Sequence, residues 1–499
     1  MTGKTSNRRR SRRRWPQVSA GLATLAVLSG CASTSGQPAS VTQSAIERAE
    51  SETRRNADLY SDFAIARYAS LTLDAETALD NYSDIFERAP DTQIAADRAI
   101  NIALSTAETE RAVEIAKQIN TESSELSDTV RLTLADDAIP ALLAEPWENA
   151  LQGSIARTMA AWLILPDDPE AAIAQQSNAG ESGPVLSRLS ATFAAIMKAQ
   201  TGREDEALAD LAELWENYTR TAIGAELEAR MHANNGDSAA AIERIKAFYA
   251  TIGLHTELAT LVDEIAAGAV APVQPLNARE ASALFAYSVA AILAEQTSMI
   301  DVASLYFALS LHLDPGLDRA RIMWADGLLA NERYQDAEQL LADINAESRY
   351  YIRAQSYIAD AAESSGDADR ALDLLEATIL EQRSRSLSLQ YAAILGRTAQ
   401  YGDAERIYTA MIEYDARRQH KDWRAFFARG GIRMELNDWR GAESDLRVAA
   451  QLRPNNARIK NKLGYGWIER GLNFDEGLSL IAEASSLDPQ NSLIMDRLG

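Results

Sequence analysis

At 499 residues the chain exceeds what one compact core normally holds, so it forms either two or three globular domains or one elongated array. Ala, Leu, Glu and Arg are abundant, Pro and Gly number only 13 and 25, and β-branched clusters are few, which predicts an all-α protein. The 72 Asp and Glu outweigh 49 Lys and Arg, giving a formal charge of -23 that argues against nucleic acid or an anionic membrane surface as a partner.

In chain order, the first signal is a cluster of seven positive charges, Lys4, Arg8, Arg9, Arg10, Arg12, Arg13 and Arg14, ahead of an apolar run from Val18 to Val27. That is the layout of a signal peptide, and the run is too short to span a bilayer, which takes about 20 apolar residues. Leu28-Ser29-Gly30-Cys31 follows and resembles a bacterial lipobox, in which small residues admit the signal peptidase and the Cys thiol takes the lipid. The resemblance implies that residues 1–30 are a lipoprotein signal peptide and that Cys31 is acylated. Because Ala32 is not the Asp used for inner-membrane retention, it also implies an outer-membrane lipoprotein facing the periplasm. A chance cysteine in an ordinary signal peptide is the alternative. Cys31 is the one cysteine of the chain, so no disulfide forms within it. Without residues 1–30 the body keeps 42 basic against 72 acidic residues, a balance of about -30. The small, polar residues 32–44 read as a flexible tether reaching roughly 20 Å.

Beyond the tether a period emerges. A small residue behind an acidic or Gly-Asp turn recurs at Ala303, Ala337, Ala371, Ala404, Ala442 and Gly477, with separations of 34, 34, 33, 38 and 35. Ala78 and Ala112 are also 34 apart, as are Ala207 and Ala241. Pro90, Pro315, Pro454 and Pro489 each fall twelve residues after such a position. Proline cannot continue a helix and disfavours α conformation in the residue before it, so Asp314, Arg453 and Asp488 are predicted helix ends. Units start near 59, 93, 188, 222, 284, 318, 352, 385, 423 and 457. The interval 127–187, with Trp147 and Trp162, is helical in character but matches the period poorly; two degenerate units would fit its length. The stretch 258–283, containing Gly268 to Asn277, breaks the period and reads as a hinge between an N-terminal array (45–257) and a C-terminal array (284–499). Residues 493–499 read as the start of another first helix without the polar cap that a helical array needs, so the sequence is expected to be part of a longer protein.

The pattern resembles the tetratricopeptide repeat, a helix-turn-helix of 34 residues. Its best copies are residues 426–456, with small residues at Gly430, Ala442 and Ala449, and residues 461–491, with Gly464, Gly477 and Ala484. Most other units replace the Gly by Ala or Ile, and several lack the proline. The resemblance implies an all-α solenoid that winds into a right-handed superhelix and binds proteins or peptides on the concave face lined by its first helices. The second residues of the first helices in the C-terminal array are Phe285, Arg319, Arg353, Ser386, Arg424 and Arg458. The four Arg form either a ladder for a carboxylate-rich or C-terminal peptide, which guanidinium grips bidentately, or ion pairs with the preceding loops. Ser356, Asp360, Phe427, Asn461 and Tyr465 are expected on the same face.

Signals of catalysis are not found. His232, His255, His312 and His420 lack metal-ligand spacing, no glycine-rich phosphate loop occurs, and Gly180-Glu181-Ser182-Gly183 lacks the spacing of a nucleophile elbow. Trp324, Tyr334, Trp439 and Trp467 recur with the repeat and read as core. The expectation is a non-enzymatic scaffold with no cofactor, metal or small-molecule substrate. The resemblance to proteobacterial tetratricopeptide-repeat lipoproteins implies an adaptor that recruits envelope proteases, cell-wall hydrolases or assembly factors. The alternatives are a part of a pilus, secretion or polysaccharide-export machine, or the appendage of an enzyme whose catalytic domain lies outside the chain.

Overall fold

The computed structural model describes residues 39–489 except 72–73, 107, 120–126, 135–145, 180–182, 218–220, 253–255, 269, 271–272, 295, 297–298 and 420. Cys31, His255, His420 and the run 493–499 lie outside the described residues. Two compact units are present, Met1–Tyr60 and Ser61–Gly499. In the first, the described residues are helical from Ala39 onward. The predicted tether ran to residue 44 and the first unit began near 59, whereas helix α1 spans Ala39–Leu71. Its sequence holds neither Gly nor Pro after Pro38, so nothing interrupts it.

The second unit, beginning within α1, is built of helical hairpins. Its N-terminal part comprises α2 (Ala75–Arg88), α3 (Gln93–Ser105), α4 (Thr109–Lys117), the short α5 (Asp128–Thr133), α6 (Ala150–Ile164), α7 (Pro169–Asn178), α8 (Pro184–Gln200), α9 (Glu204–Asn217), α10 (Ala222–Asn234), α11 (Ser238–Ile252) and α12 (Thr256–Ala267). Then come α13 (Ala278–Ala294) and α14 (Ile300–Leu313). The C-terminal part comprises α15 (Asp318–Ala330), α16 (Tyr334–Ala342), α17 (Tyr351–Ser364), α18 (Ala368–Gln382), α19 (Arg385–Arg397), α20 (Tyr401–Arg417), α21 (Trp423–Glu435), α22 (Trp439–Leu452), α23 (Ala457–Glu469) and α24 (Phe474–Leu487). No strand occurs among the described residues, and none of the described helices is long and apolar enough to cross a membrane.

Local chemistry sets these boundaries. Asp74, Asp168, Asp367 and Asp438 each accept a backbone N–H in the first turn of the helix that follows, and Thr221, Ser384 and Asn456 do the same for α10, α19 and α23. The residues before the periodic prolines, Ala89, Asp314, Arg453 and Asp488, end their helices outside the α region, with ψ between 74° and 95°. The small residues of the period, from Ala78 to Ala442, are fully buried. The unit starts at 93, 222, 318, 385, 423 and 457 agree with the helices, and 352 lies one residue inside α17.

Three segments differ from their reading in the sequence. Among the described residues, the interval 127–187 holds one complete hairpin, α6–α7, beside the short α5. The stretch from 258, read as a hinge, carries most of α12, because Leu258, Leu261 and Ile265 form one apolar stripe that is buried against Phe248 of α11. The unit placed at 284 begins at Ala278, so Phe285 lies in mid-helix with no exposure instead of at a groove-facing helix start.

That last shift has a tertiary cause. α13 packs on α6 and α8, and α14 on α3 and α5, so this hairpin lies among helices that come much earlier in the chain. Both helices are apolar around most of their circumference, the pattern of a helix enclosed on all sides. Phe285 meets Phe193 edge-on at 5.0 Å, and Phe193 meets Trp162 at 6.0 Å. Polar contacts fix the register: the His312 ring donates from Nε2 to Thr133 O at 2.7 Å, and Tyr306 OH donates to Asn149 Oδ1 at 3.4 Å.

Candidate functional site

The first helices of the C-terminal hairpins are α15, α17, α19, α21 and α23, and they carry the arginines singled out by position. Arg319 is 15% exposed and pairs with Glu226 of α10 at 3.1 Å, with its guanidinium 5.9 Å from the Tyr287 ring. Burial alone would raise the Glu226 carboxyl, but the guanidiniums of Arg319 and Arg230 outweigh it and hold the group at about 2. Arg353 donates to Tyr357 OH at 2.7 Å, and that hydroxyl donates to Asp326 Oδ1 at 2.7 Å. Burial, and then the hydrogen bond to Asp326, push the Tyr357 hydroxyl up to about 12. Both arginines are therefore spent on internal partners. The carboxylate on Arg319 comes from α10, and Arg353 is held by Tyr357 of its own helix, not by a preceding loop.

Ser356 and Asp360 are drawn together by a residue the sequence did not flag. Ser356 Oγ donates to Gln390 Oε1 at 2.7 Å, while Gln390 Nε2 donates to Asp360 Oδ1 at 2.7 Å and to Ser356 O at 2.9 Å, tying α17 to α19. Burial raises the Asp360 carboxyl, against the hydrogen bond from Gln390. Ser386 is exposed and shares a hydrogen bond with Ser384.

The C-terminal pair of first helices is different. Arg424 is 64% exposed, reaches Asp422 only at 3.7 Å, and lies 5.4 Å from the Trp423 ring. Arg458 is exposed and has no ion pair among the described residues. Its guanidinium sits 5.8 Å from the half-buried Phe427 ring, and Lys462 Nζ sits 5.5 Å from the same ring. Trp423 and Phe427 lie 6.4 Å apart. Asn461 is 8% exposed, and its Oδ1 has no hydrogen-bond donor among the described residues. Tyr465 is half-buried on the same helix. Arg424, Phe427, Arg458 and Asn461, the candidates read from position, thus lie on α21 and α23 beside Lys462 and Trp423, which position did not single out.

The helix crossings decide what kind of array this is. A Cβ on Gly464 would lie 2.7 Å from Gly477 O, and one on Gly477 would lie 2.9 Å from Gly464 O. On Gly430 it would meet Leu446 Cγ at 3.0 Å and Ala442 O at 3.3 Å. Helix backbones approach this closely only where both carry small residues, and the positions recur with the period of the hairpin. The chain has the fold of a tetratricopeptide-repeat solenoid. No protein-family model matches it. The TPR repeat-containing protein PA4667 of Pseudomonas aeruginosa is 26% identical over 149 residues, 30% of this chain and 25% of that protein. The chain therefore spans about a quarter of the length of the curated relative it matches. Among solved structures, yeast Tom70 aligns over 89% of this chain and 95% of its own, at 12% identity and a TM-score of 0.38. A tetratricopeptide repeat protein from Parabacteroides merdae aligns over 63% of this chain and 99% of its own, at 14% identity and a TM-score of 0.29. Among the described residues, the chain has no group of three or more His, Cys, Asp or Glu placed to hold a metal ion.

Proposed function

We propose that the protein is a non-enzymatic scaffold, tethered in the bacterial envelope through an acylated Cys31, that holds an acidic segment of a partner protein against α21 and α23. The observation that carries this reading is the contrast along the arginine series. Arg319 and Arg353 are engaged internally, whereas Arg424 and Arg458 stand exposed beside aromatic rings. In a chain of formal charge -23, a local cluster of Arg424, Arg458 and Lys462 attracts a carboxylate-bearing segment. Phe427 and Trp423 supply the apolar contact that surface charge pairing alone lacks.

Anchoring rests on the sequence of residues 1–31. Replacing Cys31 by Ser should release the protein from the membrane fraction, and continued sedimentation with membranes would remove the anchor from the proposal. Partners captured from envelope extract by the wild-type chain should be lost, or bind roughly tenfold or more weakly, with Arg424→Glu combined with Arg458→Glu. The helical circular dichroism of that variant should be unchanged. Equal affinity of both forms for the captured partner would rule out the α21–α23 surface. Recovery of a protease together with its substrate supports the adaptor role, and recovery of a secretin or export channel supports the role of a machine part.

A further inference from the structure

A second site lies where the early and late hairpins meet. Helices α10, α12 and α13, the connection 273–277 and the start of α15 surround a cavity of about 710 Å³. That size takes a drug-sized organic molecule or a short chain end. Its walls are largely apolar, with Ile223, Leu227, Leu276, Leu284 and Leu317 contributing from separate segments.

Across these walls runs an alternating series of charges. Arg319 pairs with Glu226 at 3.1 Å, Glu226 with Arg230 at 2.9 Å, Arg230 with Glu264 at 3.6 Å, and Glu264 with Arg349 at 3.1 Å. Five charges alternate, and a guanidinium stands at either end, so the series holds three cations to two anions. Two more carboxylates line the cavity, Glu280 and Asp314, and each is occupied by backbone donors. Glu280 accepts Asn277 N–H and Asp314 accepts Gly316 N–H, both at 2.9 Å, next to the N-termini of α13 and α15. The lining as a whole holds three cations to four anions, and only the arginines can meet an added anion. Of these Arg349 is the most accessible, at 35% exposure against 15% for Arg319 and 12% for Arg230, and it sits outside the helices on the connection before α17. Sequestering so many charges beside leucines stabilises a fold little compared with apolar packing, so their presence in a hollow points to recognition.

We infer that this cavity binds an amphipathic carboxylate, with the apolar body of the ligand against the leucine walls and its single carboxylate on Arg349, extending the alternation by one further anion. A fatty acid and a peptide C-terminus ending in an apolar residue share this chemistry. The site is separate from the α21–α23 surface, and its fate is independent of that proposal.

The test uses the full chain carrying Cys31→Ser, so that no acyl group of its own competes. Decanoate and an N-acetylated tetrapeptide ending in a leucine carboxylate are titrated by calorimetry, each beside its neutral amide. At least one acid should bind, with its amide weaker by roughly tenfold to a hundredfold, the effect of losing one charge-assisted pair. Arg349→Gln should weaken the acid by a similar factor at an unchanged thermal midpoint, while Arg424→Gln should leave it unaffected. Binding of decanoate alone assigns a lipid-type carboxylate, and binding of the peptide alone assigns a protein C-terminus. Binding of neither acid at about 1 mM, equal binding of acid and amide, or indifference to Arg349→Gln would overturn the inference.

Discussion

The early and late hairpins of this chain share one building plan and differ in what lies on them. Between α3 and α8 the hairpin α13–α14 packs inward, with Phe285, Tyr306 and Phe307 essentially unexposed, so those repeats enclose a core. From α15 to α24 each hairpin packs chiefly on its neighbours in sequence. Adjacent hairpins there are joined by charged ties such as Arg370–Glu338, Arg397–Glu363 and Arg433–Glu405. A repeat of this type therefore offers a groove only where no other part of the chain has filled it. The arginine series shows the same division: Arg319 is held by the early half, while Arg424 and Arg458 are exposed.

The sharpest way to break the comparison is Phe285→Ala. Removing a ring that touches Phe193 should cost about 3–5 kcal/mol and uncouple the early half, so that urea unfolding resolves into two transitions. A loss below about 1 kcal/mol would mean that the hairpin is not the core of that half.

Acid is the next test. The Glu226 carboxyl is held at about 2 in the fold against an ordinary value of 4.5, so the unfolded chain takes up its proton first. Its contribution is complete above pH 4.5 and disappears as pH falls towards 2, amounting to about 3 kcal/mol. Glu226→Gln should lower stability by a similar amount at neutral pH and remove that part of the acid dependence. An unchanged acid limb in the variant would show that Arg319 and Arg230 do not depend on Glu226.

Gly464→Ala probes the late half. The added Cβ would press on Gly477 O, forcing α23 away from α24 at a cost of about 1–3 kcal/mol. Amide exchange should speed up in α23 and α24 and remain unchanged in α13 and α14, and faster exchange across both halves would contradict the independence of the late hairpins.

The smallest expected effect comes from His312. Burial lowers its affinity for a proton despite the bond to Thr133 O, and the charges of Arg279 and Lys117 act in the same direction. The unfolded chain therefore protonates first as pH falls through 6.5, and stability should decline slightly below that point. His312→Gln should flatten the decline, and persistence of the slope in that variant would assign it to another group.

The local plan was legible in the sequence because it is written in local chemistry. Prolines after Asp314, Arg453 and Asp488, and small residues at Gly430, Gly464 and Gly477, mark helix ends and crossings without reference to distant residues. What could not be read was long-range partnership. Nothing adjacent to Arg319 signals that its carboxylate is Glu226, 93 residues earlier, or that Phe285 sits against Phe193. One clue was present: Ala278–Ala294 and Ile300–Leu313 are apolar on nearly every face, whereas a groove-lining hairpin keeps a polar face. The placement of Arg424, Phe427, Arg458 and Asn461 on α21 and α23 was legible by position, whereas Lys462 and Trp423 beside them were not singled out.

The bond from His312 to Thr133 joins residues 179 apart, and that distance has a temporal meaning. At about 5–20 residues per second, a ribosome needs roughly 10–35 s to deliver the inner hairpin after the strand of chain it must cover. For that interval the nascent early repeats display an oily hollow that invites aggregation, whereas each late hairpin can close on its predecessor as it emerges. The early half is accordingly where a holding chaperone is most needed during biosynthesis.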